Sequence, residues 1–514
     1  MLGLLTAKLE ASRRTPSMRT KQASDDRVHS LPSLAGGKLT GPLFAGYLDV
    51  EDRHYFYIFA PSVREPAKDP LVLWSNGGPG CSSVGEGIWM ETGPYQVSNE
   101  QPGIRPAPYS WNRVASMLYI EHPVGVGFSY ADNTSRYQHL DDATEADDLM
   151  RALQQFVDRF PEYAPTSDAA VRPLYLAGES YAGEYVPHLA HRIATMDAAG
   201  LGATLRGFAV GNPVFNCEAD KSGFNAGLQV NMLLSHGLLS FRRYAAYLDA
   251  GCMRSEAALS KRCVDLFDAA MADAGVVDQQ LNARRRAREA RRQHRQLVEA
   301  SQPAAAGGAP PRPKVEPDFD PDHHFQSFCL GNATLEFATQ PNSVDGDASC
   351  EPLGDPGRMA TYLNRADVQA ALHVRASKMA APDGRWTDCA GPPTIQYTPS
   401  GLDTLTNYYE PLLNATAAHP ERFRVLVYSG DEDIATVPTP CTQACLAQLE
   451  RSGAIVRRTN WTTWRVGGIA AGYTESYDRL TFATVRGAGH TVPQYQPLLS
   501  YELFTRWLMS GAHI

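Results

Sequence analysis

The sequence lacks several patterns that define large classes of protein. No run of about 18 or more apolar residues occurs, so no transmembrane helix is expected. The nine cysteines form no Cys-x-x-Cys pair and no Cys/His spacing typical of a zinc site. The formal net charge of −9 does not support nucleic-acid binding. Residues 76–83 are rich in glycine, but no Gly-Lys-Ser or Gly-Lys-Thr follows, which disfavours a phosphate-binding loop. We therefore expect no metal, no cofactor, no nucleic-acid partner and no membrane span.

What is present is the composition of an ordinary soluble globular chain, with 43% hydrophobic and 20% charged residues. The 514 residues are enough for one large α/β domain with insertions, or for two or three ordinary domains. Residues 1–7 are apolar and fit either the remnant of a signal peptide or a disordered start. We expect residues 1–39, which are mostly polar, to form an N-terminal leader or disordered segment.

Apolar strand-like runs alternate with helix-like runs in two stretches, residues 40–214 and 396–514. The predicted strands are 54–60, 70–75, 116–121, 173–177 and 205–210 in the first stretch, and 424–429 and 480–485 in the second. Helices are predicted over 141–160, where apolar residues recur at helical spacing, and over about 497–509. Strands that alternate with helices indicate a parallel sheet that is covered on both faces.

Between the two stretches, residues 215–395 show a looser pattern and are predicted to form an insertion that caps the sheet. Residues 281–295 contain seven arginines, and a segment rich in Pro, Ala and Gly follows at 303–313. We expect a flexible loop at about 278–316, because low-complexity composition of this kind does not pack a core. The loop is either cut by a protease during maturation or left intact, and composition alone decides neither.

Ser180 stands in a segment with the pattern of a nucleophile elbow. The segment Gly178 to Gly183 follows a predicted strand and precedes a helix-like run. Small neighbours are needed where a serine lies on a strained turn. The usual pattern, Gly-x-Ser-x-Gly, has Ala182 at its last position here. An ordinary strand-to-helix turn is therefore the alternative interpretation.

A serine nucleophile needs a base, and the base needs an acid that orients it. Asp433 and His490 each follow a late predicted strand, where an α/β sheet places its site. Asp433 lies further out on its loop than Asp431, which we expect to cap backbone N–H groups. His188 is close to Ser180 in sequence, but it lies on the following helix and is interpreted as a packed or surface residue.

The glycine-rich residues 76–83, Asn-Gly-Gly-Pro-Gly-Cys-Ser-Ser, directly follow another predicted strand. Glycines there let backbone N–H groups point at a reacting oxygen, as an oxyanion hole requires. A plain Gly-Pro turn is the alternative.

Together these motifs resemble the serine carboxypeptidase family, which includes carboxypeptidase Y, the plant serine carboxypeptidases and lysosomal cathepsin A. The resemblance covers about residues 40–510, apart from the arginine-rich insertion. The matching segments are 46–50, 74–83, 111–115, 122–130, 159–163, 178–183, 211–213 and 364–373, with the segments around Asp433 and His490. The resemblance implies an α/β-hydrolase fold, with a mostly parallel central sheet, flanking helices and a large cap insertion. It also implies a serine-type carboxypeptidase that removes C-terminal residues from peptides and proteins with a free C-terminus.

The resemblance further implies roles for individual residues. The catalytic triad would be Ser180, Asp433 and His490, and the oxyanion hole would be the backbone N–H groups of Gly78 and Tyr181. Family members hold the terminal carboxylate of the substrate with an asparagine, a glycine N–H and two glutamates. The corresponding residues are Asn76, Gly77, Glu91 and Glu179.

The two glutamates, Glu91 and Glu179, would repel an anionic substrate unless they are protonated or share a proton. A protonated pair can donate hydrogen bonds to the substrate carboxylate. Binding should therefore weaken as pH rises, and we expect an acid pH optimum.

Covalent features point to the secretory pathway. The resemblance implies a Cys81–Cys389 disulfide; seven cysteines remain, so at least one thiol should be free or paired outside the chain. Candidate glycosylation sites of the Asn-x-Ser/Thr type are Asn133, Asn332, Asn414 and Asn460. We expect a lysosomal, vacuolar or extracellular protein. A cytosolic protein with inert buried thiols is the alternative.

Specificity and alternative functions rest on few residues. Family members that prefer basic C-terminal residues often have an acidic residue after the histidine, so Thr491 favours apolar C-terminal residues. Acyltransferases of the same family usually have Asp before the nucleophile, so Glu179 favours a peptidase. The filled triad positions argue against a catalytically inactive binding or protective protein. The oligomeric state stays open, and a homodimer is one of the assemblies considered.

Overall fold

The structure, a computed structural model, describes residues 21–98, 103–164, 172–196, 201–221, 224–253, 260–273, 356–416, 423–434 and 436–510. The arginine-rich segment, the Pro/Ala/Gly-rich segment, Asn332, Cys329 and Cys350 lie outside these residues. No helix in the described part of the chain is long and apolar enough to cross a membrane.

A large mixed sheet forms the centre of the molecule. The strands within the described residues are β1 (Arg27–Val28), β2 (Leu43–Val50), β3 (Arg53–Ala60), β4 (Leu71–Ser75), β5 (Tyr95–Val97), β6 (Ile104–Pro106), β7 (Ser116–Ile120), β8 (Tyr130–Ala131), β9 (Leu140–Asp141), β10 (Leu174–Glu179), β11 (Leu205–Gly211), β12 (Tyr397–Thr398), β13 (Arg424–Gly430), β14 (Thr462–Val466), β15 (Ile469–Ser476) and β16 (Leu480–Val485). The order in the large sheet is β1-β2-β3-β7-β4-β10-β11-β13-β16-β15-β14, and β8 also pairs with β3. The remaining strands form two small pairs, β5 with β6 and β9 with β12.

The parallel sheet predicted from the sequence is found at the centre of this larger sheet. The six strands from β7 to β16 pair in parallel. The strands on both sides of them pair antiparallel. Every residue of β4, β7, β10 and β16 is buried, which explains their continuous apolar sequences.

Helices cover both faces of the sheet. The helices of the described residues are α1 (Lys21–Asp25), α2 (Asp142–Arg159), α3 (Ala182–Met196), α4 (Leu201–Thr204), α5 (Glu218–Lys221), α6 (Phe224–Ser235), α7 (Phe241–Asp249), α8 (Lys261–Asp273), α9 (Pro356–Leu363), α10 (Ala366–Ala371), α11 (Glu410–Ala415), α12 (Thr439–Ser452), α13 (Val492–Tyr495) and α14 (Pro497–Ser510). The apolar side chains of α2, α3, α11 and α12 belong to one core, and those of α9 and α14 belong to a second. The sheet therefore separates two hydrophobic layers.

Helix α2 shows how local sequence sets these elements. The Asp141 side chain accepts a hydrogen bond of 2.7 Å from the backbone N–H of Thr144 and so caps the first turn. Leu149, Leu153 and Phe156, spaced at three and four residues, are buried against the sheet. The predicted helix over 141–160 is confirmed.

Part of the predicted leader is folded onto the sheet. From Lys21 onward the chain forms α1 and then β1, which pairs with β2. Leu31 and Leu34 are buried in the second core. The composition of this segment is polar, but its few apolar residues have partners on the sheet that a local sequence pattern does not reveal. The prediction of a leader or disordered segment over residues 1–39 is therefore wrong for the part that begins at Lys21.

The described part of the predicted cap divides into two regions. Helices α6 to α8 have a small core of their own, which contains Val230, Leu233, Tyr247 and, from outside the insertion, Ile434. The segment from α9 to Trp386 packs instead into the second core of the sheet, and Ala390 and Ile395 belong to the first core. The cap predicted over 215–395 is thus partly a helical insertion and partly a segment of the main body.

Three disulfides lie within the described residues, and two of them, Cys81–Cys389 and Cys217–Cys445, join separate regions of the chain. The predicted Cys81–Cys389 bond is present, and Cys217–Cys445 and Cys252–Cys263 were not assigned from the sequence. Cys217–Cys445 connects the start of the insertion to α12. Among the described cysteines, Cys441 alone has no disulfide, and it is buried.

Candidate active site

Ser180 occupies a tight turn between β10 and α3. Its φ of 61° lies in the left-handed region, which costs a non-glycine residue free energy. A Cβ at Gly178 would lie 2.3 Å from the Ser75 carbonyl oxygen, and one at Gly183 would lie 2.3 Å from the Val214 carbonyl oxygen. Both glycines are therefore required by space, which explains the small residues around the serine. The turn is fixed and leaves Ser180 half-buried at the carboxyl edge of the sheet.

The predicted acid and base are in contact. The Nδ1 atom of His490 lies 2.7 Å from Oδ2 of Asp433. Asp433 is fully buried, and His490 is 7% exposed. The Asp433 carboxylate also accepts hydrogen bonds from the backbone N–H groups of Thr436 at 2.9 Å and Val437 at 3.0 Å. These donors hold the carboxylate in one orientation against the imidazole.

Asn212 is a further partner of Asp433 that sequence reasoning did not select. Its Nδ2 donates to Oδ2 of Asp433 at 2.9 Å, and its Oδ1 accepts from the backbone N–H of Gly430 at 3.0 Å. Asn212 has a φ of 39°, directly after β11. It lies in the Gly-Asn-Pro segment of the family resemblance, which was the only signal in the sequence.

Strand pairing brings the loops that carry Ser180, Asp433 and His490 to the carboxyl edge of the sheet. Glu179 pairs with Gly211, Gly211 pairs with Tyr428, and Gly430 pairs with Val485. Ser180, Asp433 and His490 therefore all follow neighbouring strand ends. The Asp431 side chain accepts a hydrogen bond of 2.7 Å from the backbone N–H of Gly487. The expectation that Asp431 caps backbone groups is confirmed.

The glycine-rich loop lies against the nucleophile turn. A Cβ at Gly77 would lie 2.4 Å from the backbone nitrogen of Tyr181 and 2.8 Å from the Ser180 Cβ. Gly78 has a φ of 110°, a conformation that favours glycine. Within the described part of the chain, the backbone N–H groups of Gly78 and Tyr181 donate to no protein acceptor. Both predicted oxyanion donors are thus available to a substrate oxygen.

Asn76 is the centre of a group of acids beside this loop. Its Oδ1 accepts a hydrogen bond of 2.7 Å from the Trp74 indole, which fixes the orientation of the amide. Its Nδ2 then donates to Glu91 at 2.8 Å and to Glu179 at 3.2 Å. The same nitrogen lies 2.8 Å from a carboxyl oxygen of Glu86, which sequence reasoning missed. Oxygens of the three glutamates lie within 4.8 Å of one another, a spacing that could also hold a cation.

Burial shifts the ionisation of these acids. It raises the pKa of Glu91 to about 7, against the lowering effects of hydrogen bonds with Asn76 and Glu179 and of the nearby His490. It also raises the pKa of Asp388, next to the disulfide at Cys389, to about 6, against a hydrogen bond with Glu86. Protonated carboxyls are therefore favoured beside Asn76 in weakly acidic solution.

A chain of three buried polar side chains begins at Ser75, which directly precedes the glycine-rich loop. The Ser75 hydroxyl lies 2.7 Å from Nε2 of His122, and Nδ1 of His122 lies 3.0 Å from Glu145 on α2. All three side chains are buried, so the arrangement of serine, histidine and acid has no access for a substrate. It is interpreted as structural.

The position of His188 matches its interpretation from the sequence, and the specificity role of Thr491 stays a prediction. His188 is buried on α3, 3.7 Å from the Tyr408 ring between centroids and 3.3 Å from a Glu184 oxygen. It is a packed residue. Thr491, next to His490, donates a hydrogen bond of 2.7 Å to the Gln494 side chain.

Three of the four candidate glycosylation sites lie within the described residues, and all three asparagines are accessible to solvent. Asn133, Asn414 and Asn460 are exposed. Their glycosylation stays a prediction, because exposure is required for modification but does not demonstrate it.

The central parallel strands, the serine turn and the two late loops define an α/β-hydrolase fold with a serine, a histidine and an aspartate at the carboxyl edge of the sheet. Within that class, the chain belongs to the serine carboxypeptidase family, whose sequence profile matches residues 32–510.

Individual proteins agree with this assignment. The chain is 32% identical over 493 residues to "Serine carboxypeptidase-like 25" of Arabidopsis thaliana, an alignment that covers 95% of this chain and 92% of that protein. It is also 32% identical over 472 residues to "Serine carboxypeptidase-like 40" of the same plant, covering 90% of this chain and 79% of the relative. Among solved structures, Kex1(delta)p, a prohormone-processing carboxypeptidase from Saccharomyces cerevisiae, matches with a TM-score of 0.65 at 17% identity. That match covers 95% of this chain and 96% of the yeast chain and shows the shared fold.

Proposed function

We propose that the protein is a serine carboxypeptidase that hydrolyses the last peptide bond of its substrates. Ser180 attacks the scissile carbonyl, and His490 takes the serine proton and passes it to the leaving amine. Asp433 orients His490 and stabilises its protonated form. The N–H groups of Gly78 and Tyr181 stabilise the oxyanion, and water then releases the acyl group from Ser180 with His490 as base.

The observation that carries this proposal is the Asn76 amide held against Glu91 and Glu179 beside the nucleophile turn. A general esterase or lipase has no need for such a group. Protonated carboxyls and a fixed amide donor can bind a carboxylate, which is the feature that distinguishes a C-terminal residue from the rest of a peptide. The group therefore supports an enzyme that recognises a free C-terminus.

The proposed pH dependence follows from the direction of the pKa shift of Glu91. Its pKa is raised to about 7, so the carboxyl is protonated below that pH and becomes an anion above it. An anion there repels the substrate carboxylate. We expect kcat/KM for peptides to be highest in acid and to fall as pH rises through about 7.

An acyltransferase is the second candidate, because the family relatives carry "-like" names and their reactions can differ from peptide hydrolysis. Glu179, rather than Asp, before the nucleophile favours the peptidase. The test incubates the protein with an N-blocked dipeptide and, separately, with an acyl-glucose and an alcohol. We expect release of the C-terminal amino acid, and no release by Ser180→Ala. Efficient acyl transfer without dipeptide hydrolysis would contradict the proposal.

We also propose a secretory or vacuolar location and a preference for apolar C-terminal residues. The three disulfides within the described residues support an oxidising compartment. Thr491 supplies no charge beside His490 to pair with a basic side chain.

A further inference from the structure

Glu86 is bound to the same amide as the two glutamates of the proposed carboxylate site. The Asn76 Nδ2 atom lies 2.8 Å from Oε2 of Glu86 and 2.8 Å from Oε1 of Glu91. Glu86 directly precedes the helical turn Gly87–Glu91, which places both acids on one short segment. Glu86 is half-buried, whereas Glu91 is 4% exposed.

The number of hydrogens on Asn76 limits how these contacts can be satisfied. An amide nitrogen carries two hydrogens, and three carboxyl oxygens lie within 3.2 Å of it. The amide cannot be reversed, because Oδ1 is engaged by the Trp74 indole. The second oxygen of Glu91 is buried, and among the described residues no N–H or hydroxyl group donates to it. Three ionised carboxylates at this spacing would repel one another strongly. The arrangement therefore requires protons on the acids themselves.

We propose that Glu86 is a third acid of the carboxylate-binding group, and that a substrate with a free C-terminus binds only when more than one proton is held by Glu86, Glu91 and Glu179. This inference rests on the proposed carboxypeptidase function and extends it. The substrate carboxylate adds a fourth negative group to the cluster. Each proton on the acids removes one repulsion and supplies one hydrogen-bond donor.

Burial and the neighbouring acids also favour protonated carboxyls in this cluster. Burial raises the pKa of Glu86 well above its usual range, Asp388 and Glu91 raise it further, and the Asn76 hydrogen bond lowers it. Tyr428 faces Glu179 and Glu91; burial and these acids raise its pKa far above the usual value, so its phenol stays neutral. His490 is the nearby group that can carry a positive charge. The group is therefore surrounded mainly by acids and neutral side chains.

The inference predicts a steep pH dependence. If two protons are needed, log kcat/KM for a peptide should fall with a slope that approaches about −2 above the acid range, instead of about −1 for one proton. Glu86→Gln keeps the size of the side chain but removes one ionisable group. The slope should then become about −1, and the decline should begin at higher pH.

Proton uptake measures the same property without turnover. In the Ser180→Ala protein, an N-blocked dipeptide is bound at about pH 8, above the raised pKa of Glu91, in buffers of different ionisation enthalpy, and calorimetry gives the protons taken up. We expect the uptake to approach about two protons with Ser180→Ala alone, and about one proton when Glu86→Gln is added. The C-terminal amide of the same dipeptide should bind weakly and take up no protons.

Glu432→Gln is the matched control. Burial also raises the pKa of Glu432 to about 7, but this residue lies on the Asp433 loop and outside the group on Asn76. It should leave the slope and the proton uptake unchanged. Thermal melting and labelling of Ser180 with a fluorophosphonate confirm that both variants are folded.

Several results would overturn the proposal and leave the carboxypeptidase function intact. An active enzyme whose slope and proton uptake are the same with Glu86→Gln would remove Glu86 from the group. If the slope of log kcat/KM against pH changed only with Glu432→Gln, the pH dependence would come from Glu432 and not from the three glutamates beside Asn76. Activity that is lost with a chelator and restored by a divalent metal would assign the three glutamates to a cation. Absence of peptide hydrolysis by the unaltered protein would instead contradict the proposed function itself.

Discussion

At the residue scale, the acid of the candidate triad depends on a neighbour from another strand. Asn212 joins the Asp433 carboxylate to the backbone of Gly430, so it fixes both the acid and the loop that carries it. A hydrogen bond to a charged group is worth about 1.5–3 kcal/mol. Asn212 is therefore expected to influence the chemical step through the orientation of Asp433 and His490.

We predict that Asn212→Ala lowers kcat by about 10- to 100-fold and leaves KM nearly unchanged, because it loosens Asp433 without touching the substrate. Asn216→Ala is the matched control: Asn216 also has positive φ and donates to a carboxylate, Glu184, at 2.9 Å. Steady-state kinetics on an N-blocked dipeptide provide the measurement. Equal losses in both variants, or a change confined to KM, would show that Asn212 has no specific effect on the acid.

Residues at the site differ in how far the sequence could predict them. Ser180, Asp433 and His490 were predictable because each follows a strand whose apolar run is visible locally. Glu86 was not, because its contact with Asn76 depends on the path of the chain through Gly87–Glu91. A glutamate in such a segment resembles any surface acid until the fold brings the amide to it.

At the element scale, the nucleophile turn is determined by close approaches of backbone. Gly183 lies at the start of α3, where a Cβ would meet the carbonyl oxygen and nitrogen of Val214 at 2.3 and 2.8 Å. These are backbone atoms that cannot move as a flexible side chain does. The position of Ser180 is therefore coupled to the segment after β11.

Gly183→Ala is expected to destabilise the turn by about 1–3 kcal/mol, as overpacking does, and to lower the melting temperature by several degrees. Labelling of Ser180 by a fluorophosphonate should also slow strongly, because the serine is displaced. Gly391→Ala serves as control, since a Cβ there meets no atom within 4 Å. Normal labelling and melting of the Gly183 variant would refute this account of the turn.

Strand prediction succeeded for the parallel strands at the centre of the sheet and failed for several strands outside it, including β2, which is buried at all but one residue. The apolar runs of β4, β7, β10, β11, β13 and β16 were all identified. Strands β14 and β15 were missed because they are partly exposed and carry polar residues such as Thr462 and Arg465. Such strands are stabilised by pairing with β16, which is a tertiary interaction that a local pattern does not contain.

At the scale of the whole molecule, several buried acids favour a folded state at acid pH. Burial raises the pKa of Glu91, Glu121 and Glu432 to about 7, and that of Asp148 and Asp388 to about 6. Each folded-state pKa lies above the value in the unfolded chain. The stability that these groups contribute is therefore fully present below about pH 4 and is lost as pH rises through about 6 to 7.

We predict that the melting temperature is higher at pH 5 than at pH 7.5, by about 5 °C or more. Asp69 acts in the opposite direction at lower pH, because hydrogen bonds from Arg64 and Ser62 outweigh its burial and lower its pKa. Stability should therefore decline again in strong acid. Calorimetric melting from pH 3 to pH 8 tests this; a melting temperature that rises steadily up to pH 8 would be incompatible with the buried acids.

The central claim is that the site recognises a free C-terminus and that Ser180 cleaves the bond before the last residue. The most direct measurement compares kcat/KM at pH 5 for an N-blocked dipeptide and for its C-terminal amide, with Ser180→Ala as blank. We predict that the free acid is cleaved at least about 100-fold better, since only it can use Asn76 and the protonated glutamates. Equal cleavage of acid and amide, or no cleavage of either, would contradict the claim.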